Sequence, residues 1–288
     1  MEFDEAAVVS EIASWSMSAA TLGRGGSAGP SPNKASKKAD ALAAARKEAV
    51  LRAVLLQRRR HGYCADHLVA PICCGVFRAA QQSGHGDGHG GGGGGGSSDQ
   101  TLLRLALEIV RGCSVAAEDE SALAETIRSG IGSGGGSGGG AGRQHHIVAH
   151  FQLLMCAPPR LAAAVIWSDR SLIERYLGGG GGSGDDAQGD AADMGEDACA
   201  AAVTAIGRVL SRAGALTALS SAAPGGSDAV GACGAGACLA QSLWRRILSV
   251  VSGADNAPPL PPAVSGAAFN ALALLIGRGQ DTSFRVLG

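Results

Sequence analysis

Four side chains with zinc-binding chemistry lie within eleven residues: Cys64, His67, Cys73 and Cys74. A thiolate and an imidazole three positions apart is a zinc-ligand spacing. Cys73 and Cys74 are adjacent, however, so on a helix their side chains diverge, and no second paired knuckle follows. Free thiols buried in a helical core are the competing reading. His146 and His150 are four apart and would share a helix face, but a metalloprotease pattern needs Glu beside the first His, and Ile147 stands there. His85 and His89 flank Asp87 in a glycine-rich stretch that would hold a metal poorly. Gly-x-Ser-x-Gly occurs around Ser27 and Ser137, without the strand before and the helix after that a nucleophile elbow requires. No phosphate loop ends in Lys-Ser or Lys-Thr. The expectation is no catalytic residue, no metal and no cofactor. A metal-dependent enzyme built on the Cys64–Cys74 or His145–His150 cluster is the alternative.

The elements that would position these groups are helices. Leu102, Leu105, Ala106, Ile109 and Cys113 recur at 3–4 spacing, with Arg104, Glu108 and Arg111 opposite. Leu123 and Ile127 are four apart before Ser129-Gly130. Ile147, Phe151 and Leu154 make a face that Pro158-Pro159 terminates. Leu161–Trp167 and Leu172–Leu177 follow as short helices. Ala202, Ile206, Val209 and Leu210 form another stripe, as do Leu239, Leu243, Ile247 and Val250, and then Ala268, Leu272, Leu275 and Ile276. Period-2 alternation is almost absent, so the predicted class is all-α.

Glycine-rich tracts at about 84–98, 129–142, 178–190 and 224–236 separate these segments, with a proline-rich break at about 256–262. Their centres are about 45–48 residues apart, in the range of HEAT and armadillo repeats. Each block holds short helices with narrow Ala- and Leu-rich stripes that need a stacked neighbour. The expectation is an armadillo/HEAT-like α-solenoid with flexible glycine-rich insertions; a closed, irregular helical domain is the alternative. A final helix presenting Phe269, Leu272 and Ile276, where a solenoid would carry a polar cap, predicts pairing at that end or a longer chain.

The whole chain, 288 residues with 46 glycines and a net charge of −1, is not a globally basic nucleic-acid binder. No apolar run reaches the 18 residues of a membrane-span candidate. The start, Met1-Glu2-Phe3-Asp4-Glu5, is acidic where a secretory signal would be basic. Eight cysteines are too sparse for a small disulfide scaffold, so reduced thiols in cytoplasm or nucleus are expected.

Charge is nonetheless uneven. Lys34, Lys37, Lys38, Arg46, Lys47, Arg52, Arg58, Arg59 and Arg60 face only Asp40 and Glu48 between residues 33 and 60. The rest of the chain is correspondingly acidic, and such asymmetry marks an interaction segment. Helix formers dominate from Asp40, which can cap, to Arg60, and Leu42, Ala45, Ala49, Ala53 and Leu56 give an apolar face. The predicted organisation is an N-terminal segment and flexible linker (1–39), a mobile basic helical arm (40–62) and a helical-repeat region (63–288). Partners for such an arm are an acidic protein groove, nucleic acid or an anionic membrane. No aromatics interleave with the cations, which argues against single-strand binding. A solvated helix of a chain with 20 Arg to 4 Lys is the bland alternative.

Ala198–Val209 and Ala267–Gly277, followed by Asp281–Gly288, resemble the small-residue helices of armadillo repeats. Arg46–Arg60 resembles the importin-beta-binding arm of the importin-alpha family, with an Arg-Lys start, a Leu pair near the end and a closing basic triplet. The resemblance implies a non-catalytic transport adaptor whose arm engages an importin-beta-type carrier through Arg46, Lys47, Arg52, Arg58, Arg59 and Arg60. The family's cargo groove uses Trp and Asn four apart on successive repeats. Here Trp167 is followed four later by Ser171 and Trp244 by Leu248, so the resemblance does not extend to that groove. A nucleic-acid-associated regulator is the alternative from another class.

Overall fold

The computed structural model describes residues 5–22, 34–61, 66–83, 95–111, 115–132, 141–177, 195–223, 229–252 and 261–278. Among them are twelve α-helices, a 3-10 turn at Ala117–Asp119 and no strand. The helices are α1 (Glu5–Leu22), α2 (Lys34–His61), α3 (Asp66–Ser83), α4 (Gly95–Val110), α5 (Glu120–Gly132), α6 (Ala141–Cys156), α7 (Pro159–Ser168), α8 (Arg170–Tyr176), α9 (Glu196–Leu210), α10 (Ala215–Ser221), α11 (Ala229–Ser252) and α12 (Pro262–Arg278). The chain divides into two compact units, residues 1–126 and 127–288.

In the first unit α1 packs on α3, and both α2 and α3 pack on α4. The apolar spacing explains the core. Leu51, Val54 and Leu55 of α2, Leu68, Ile72 and Phe77 of α3, and Leu102, Leu105 and Ile109 of α4 are all buried. Segment 1–39, expected as an N-terminal segment and flexible linker, contains α1, and the Gly29–Pro32 linker lies outside the described residues. Ile12 and Trp15 are its buried anchors, and a Cβ at Gly75 of α3 would meet the Trp15 ring at an ordinary contact distance of 3.4 Å. Helix α2 starts at Lys34, so Asp40 lies inside it and is not its cap. It is no mobile arm either, because its inner apolar stripe is buried within the unit.

In the second unit α9 packs between α6 and α12, and α7 and α11 both pack on α10. The contacts along α9 fix the direction of its neighbours. Gly195, just before α9, meets Gln144 near the start of α6, while Arg212, just past the end of α9, donates to the carbonyls of Met155 and Ala157 at the end of α6. On the other side, the Ala263 N–H donates to Glu196 at 3.2 Å, and Gly207 meets Ala271. The helices α6, α9 and α12 therefore run parallel, start beside start. Pro158 and Pro159 explain the break between α6 and α7, since Pro159 sits where a helix has no need of its N–H.

The tracts read as coil are partly helical at their edges. Gly95 begins α4, Gly132 ends α5, and α11 begins at Ala229 inside the 224–236 stretch. There Gly236 is buried and packs on Ser220 of α10, an approach that a larger residue would block.

Arg212 supplies the donors for the last carbonyls of α6, which have no partner within their own helix. Arg212→Ala is expected to destabilise the protein by about 1–3 kcal/mol, the range for leaving buried acceptors unsatisfied. Arg212→Lys should recover only part, because an ammonium lacks the planar fork. Denaturant titration of the full-length variants checks both; a loss below about 0.5 kcal/mol for the Ala variant would contradict the capping role.

Candidate functional site

Helix α2 carries two apolar stripes. The inner one, Leu51, Val54 and Leu55, is buried. The outer one is the stripe that periodicity singles out, and it is largely open to solvent: Leu42 is 73% exposed and Leu56 54%, with Ala45 and Ala49 exposed and Ala53 half-buried between them. Positions 42, 45, 49 and 56 fall on one line of the helix, since a turn takes 3.6 residues. Exposed Arg46, Arg52, Arg59 and Arg60 border this line.

The structure separates the six candidate docking residues by what each touches. Arg58 donates to the carbonyls of Glu108, Ile109 and Arg111, the Ile109 bond at 3.0 Å, and so caps the end of α4. Lys47 is half-buried and places its ammonium 5.8 Å from the centre of the Trp15 ring. Arg46 pairs with Glu11 of α1 at 2.7 Å, and Arg59 with Glu108 of α4 at 2.9 Å. Arg52 pairs with Glu48 one turn earlier at 2.6 Å. These are exposed ion pairs of the kind that contribute little to stability and exchange readily for a partner's carboxylates. Arg60 is exposed and makes no ion pair among the described residues.

Of the cysteine and histidine clusters, Cys73, Cys74 and His150 are buried packing residues. Cys64 lies outside the described residues. His67 is exposed, whereas Cys73 and Cys74 are buried. Burial pushes the Cys74 thiol up from its ordinary pKa, and the Thr126 hydroxyl donates to its sulfur at 3.2 Å. No group of three or more metal-ligating side chains forms among the described residues. His85, His89, Ser27 and Ser137 lie outside them.

His150 is fully buried, and its Nδ1 lies 2.6 Å from the carbonyl of His146, the acceptor for an Nδ1–H donor. Its ring fills the space that a side chain at Gly130 would need: a Cβ there would sit 2.0 Å from the imidazole. Tyr176 closes the same region, edge-on to Phe151 at 5.1 Å, with its hydroxyl donating to the Ile131 carbonyl at 3.3 Å. Burial lowers the His150 pKa to about 4. The imidazole is therefore neutral and structural at pH 7.

One feature escapes periodicity altogether. A cleft of about 550 Å³ lies over α9 between α6 and α12, floored by Ala200, Ala201 and Ala205. Of its polar groups, His145, Gln152, Asp197 and Asn270 are solvent-exposed, and Thr204 is half-buried with its hydroxyl donating to the Ala200 carbonyl. Only the stacking of three distant segments creates it. Among the described residues no single helix is long and apolar enough to cross a membrane. Comparison with known proteins returned no matching family, no similar curated protein and no similar solved structure.

Two predictions follow from these placements. Arg58→Ala should lower stability by about 1–3 kcal/mol while Arg60→Ala leaves it within about 0.5 kcal/mol, measured by thermal or denaturant unfolding. Equal effects would remove the distinction between a capping and a surface arginine. The depressed His150 pKa means that the unfolded chain takes up a proton that the folded chain refuses. Stability is therefore full above pH 6.5, falls as pH drops from 6.5 towards 4, and loses about 3 kcal/mol in all from this group. A His150→Gln variant, compared with the parent over that window, should show a shallower pH slope; parallel slopes would contradict the assignment.

Proposed function

We propose that this protein is a non-catalytic interaction scaffold, an armadillo-like adaptor of the importin-alpha kind, whose α2 docks an acidic helical surface of a partner protein. The observation that carries the reading is the second apolar stripe of α2. A helix with one face buried at home needs no further leucines, yet Leu42 and Leu56 stand open with four arginines around them. An apolar line bordered by cations is complementary to an apolar groove bordered by carboxylates. An importin-beta-type carrier is the partner that the Arg46–Arg60 resemblance names.

The parallel arrangement of α6, α9 and α12 supports the solenoid part of the reading. In such repeats equivalent helices of successive units lie side by side and run the same way, and short helices between them form the other layer. Here α7 and α8 separate α6 from α9, and α10 and α11 separate α9 from α12. Three of the four glycine tracts come just before α4, α6 and α9 in the chain, as insertions at equivalent points of successive repeats would.

Arg58 belongs to the fold on this reading, and the docking set reduces to Leu42, Leu56, Arg52, Arg59 and Arg60, with Arg46 beside them. The test is binding of the full chain to a purified importin-beta-type receptor at two salt concentrations. Leu42→Ser with Leu56→Ser, and separately Arg52→Glu with Arg60→Glu, should each weaken binding at least about tenfold, about 1.4 kcal/mol, and the second pair should also flatten the salt dependence. Unaltered binding by both folded variants, or no binding by the parent, would sink the proposal. Binding to unrelated nucleic acid with a steep salt slope would point to the other class of partner.

A further inference from the structure

Helix α1 holds two cations of α2. Glu11 pairs with Arg46 at 2.7 Å, and the Trp15 ring lies against the ammonium of Lys47, 5.8 Å from its centre. Arg46 stands one turn beyond Leu42, on the edge of the open stripe, and Lys47 points about 100° further round the helix. The anchorage of α1 itself is thin. It packs on α3, and among its described side chains only Ile12 and Trp15 are buried. Trp15 is 3% exposed, yet its indole N–H has no hydrogen-bond partner among the described residues. A buried donor left unpaired forfeits the bond that water would supply, so the docked helix carries a penalty that release removes. Elements with few buried contacts are the ones that open first.

We infer that α1 is a releasable strap on the docking surface: docked, it withholds Arg46 and Lys47, and displaced, it leaves both to an acidic partner of α2. The inference rests on the docking role proposed for α2 and adds the control of that surface. On release, a carboxylate of the partner takes the place of Glu11 at Arg46, a second one takes the place of the ring at Lys47, and the Trp15 N–H gains water. Arg46 and Lys47 are adjacent, so their loss from α1 widens the cationic rim from the open stripe round the helix. Helices α1 and α2 are joined through residues 23–33, so a released strap stays at high effective concentration and docks again when the partner leaves. Partner binding and strap docking compete for the same two cations, and by linkage each weakens the other by the same factor.

The test is amide hydrogen exchange on the full chain, alone and with a purified importin-beta-type receptor. Without receptor, the amides of α1 should exchange at least about tenfold faster than those of α3. Glu11→Gln and, separately, Lys47→Met should each speed α1 exchange a further two- to fivefold or so and leave α4 unchanged, the range for losing one exposed ion pair or one cation–π contact. Saturating receptor should speed α1 exchange in the parent, and Glu11→Gln should bind the receptor about two- to fivefold more tightly. Glu118→Gln removes the same charge from an exposed position of the same unit and should do neither. Exchange in α1 as slow as in α3 overturns the strap and leaves the docking reading standing. So does receptor binding that leaves α1 exchange unchanged or slows it, and so does equal tightening by Glu11→Gln and Glu118→Gln. No binding by the parent or by Glu11→Gln, with α1 exchanging fast in both, sinks the docking reading and the strap with it.

Discussion

Parallel packing of helices creates a problem that this protein solves with arginine. When neighbouring helices run the same way, their carboxyl ends come together. Each end presents carbonyls with no partner in its own helix and carries the negative end of its dipole. In the second unit Arg212, just beyond α9, donates to Met155 and Ala157 at the end of α6. In the first unit Arg58, near the end of α2, donates to Glu108, Ile109 and Arg111 at the end of α4. The two solutions are the same: a guanidinium carried at the end of one helix closes the end of its neighbour. It satisfies several acceptors at once, places positive charge where two dipoles are least favourable, and fixes the axial register of the pair. Lysine offers no planar fork for such an arrangement.

Close approach is the second constraint. The chain has few aromatic residues, so its cores are filled by bringing backbones together as much as by large side chains. A Cβ at Gly207 would lie 2.4 Å from the Ala271 Cβ, so α9 and α12 touch almost backbone to backbone. Where a larger group is present, a glycine faces it, as Gly130 faces the His150 ring. Small contacts of this kind give little tolerance: an added methyl group separates helices whose capping arginines depend on their register.

Much of the helical content was legible in the sequence because spacing alone carries it. Leu102, Leu105 and Ile109 announce α4, and Ile206, Val209 and Leu210 announce α9. Two of the missed elements lack that signal: helix α1 is apolar without a sharp stripe, and α10 spans only Ala215–Ser221. Helix α3 does carry it, in Leu68, Ile72, Val76 and Phe77, around the proline at position 71. For α2 the periodicity was right and its meaning inverted: Leu42, Ala45, Ala49 and Leu56 are the open face, while Leu51, Val54 and Leu55, on the far side of the helix, are buried. Periodicity finds apolar lines and does not say which of two lines meets a neighbour. The cap by Arg58 joins residues about fifty positions apart, and the floor of the α6–α9–α12 cleft joins three segments. No local pattern records such contacts.

The basic triplet Arg58-Arg59-Arg60 shows why composition alone could not assign the candidate surface. Consecutive residues on a helix point about 100° apart, so three adjacent arginines face three environments. Arg58 turns inward to the carbonyls of α4, Arg59 lies along the rim against Glu108, and Arg60 faces solvent. A single run of charge thus contains a cap, an exchangeable ion pair and a cation open to a partner. The ordering follows from α2's burial: once Leu51, Val54 and Leu55 are turned to α4, the angle of every following residue is set. The inner stripe therefore decides which arginines belong to the fold and which remain available for binding.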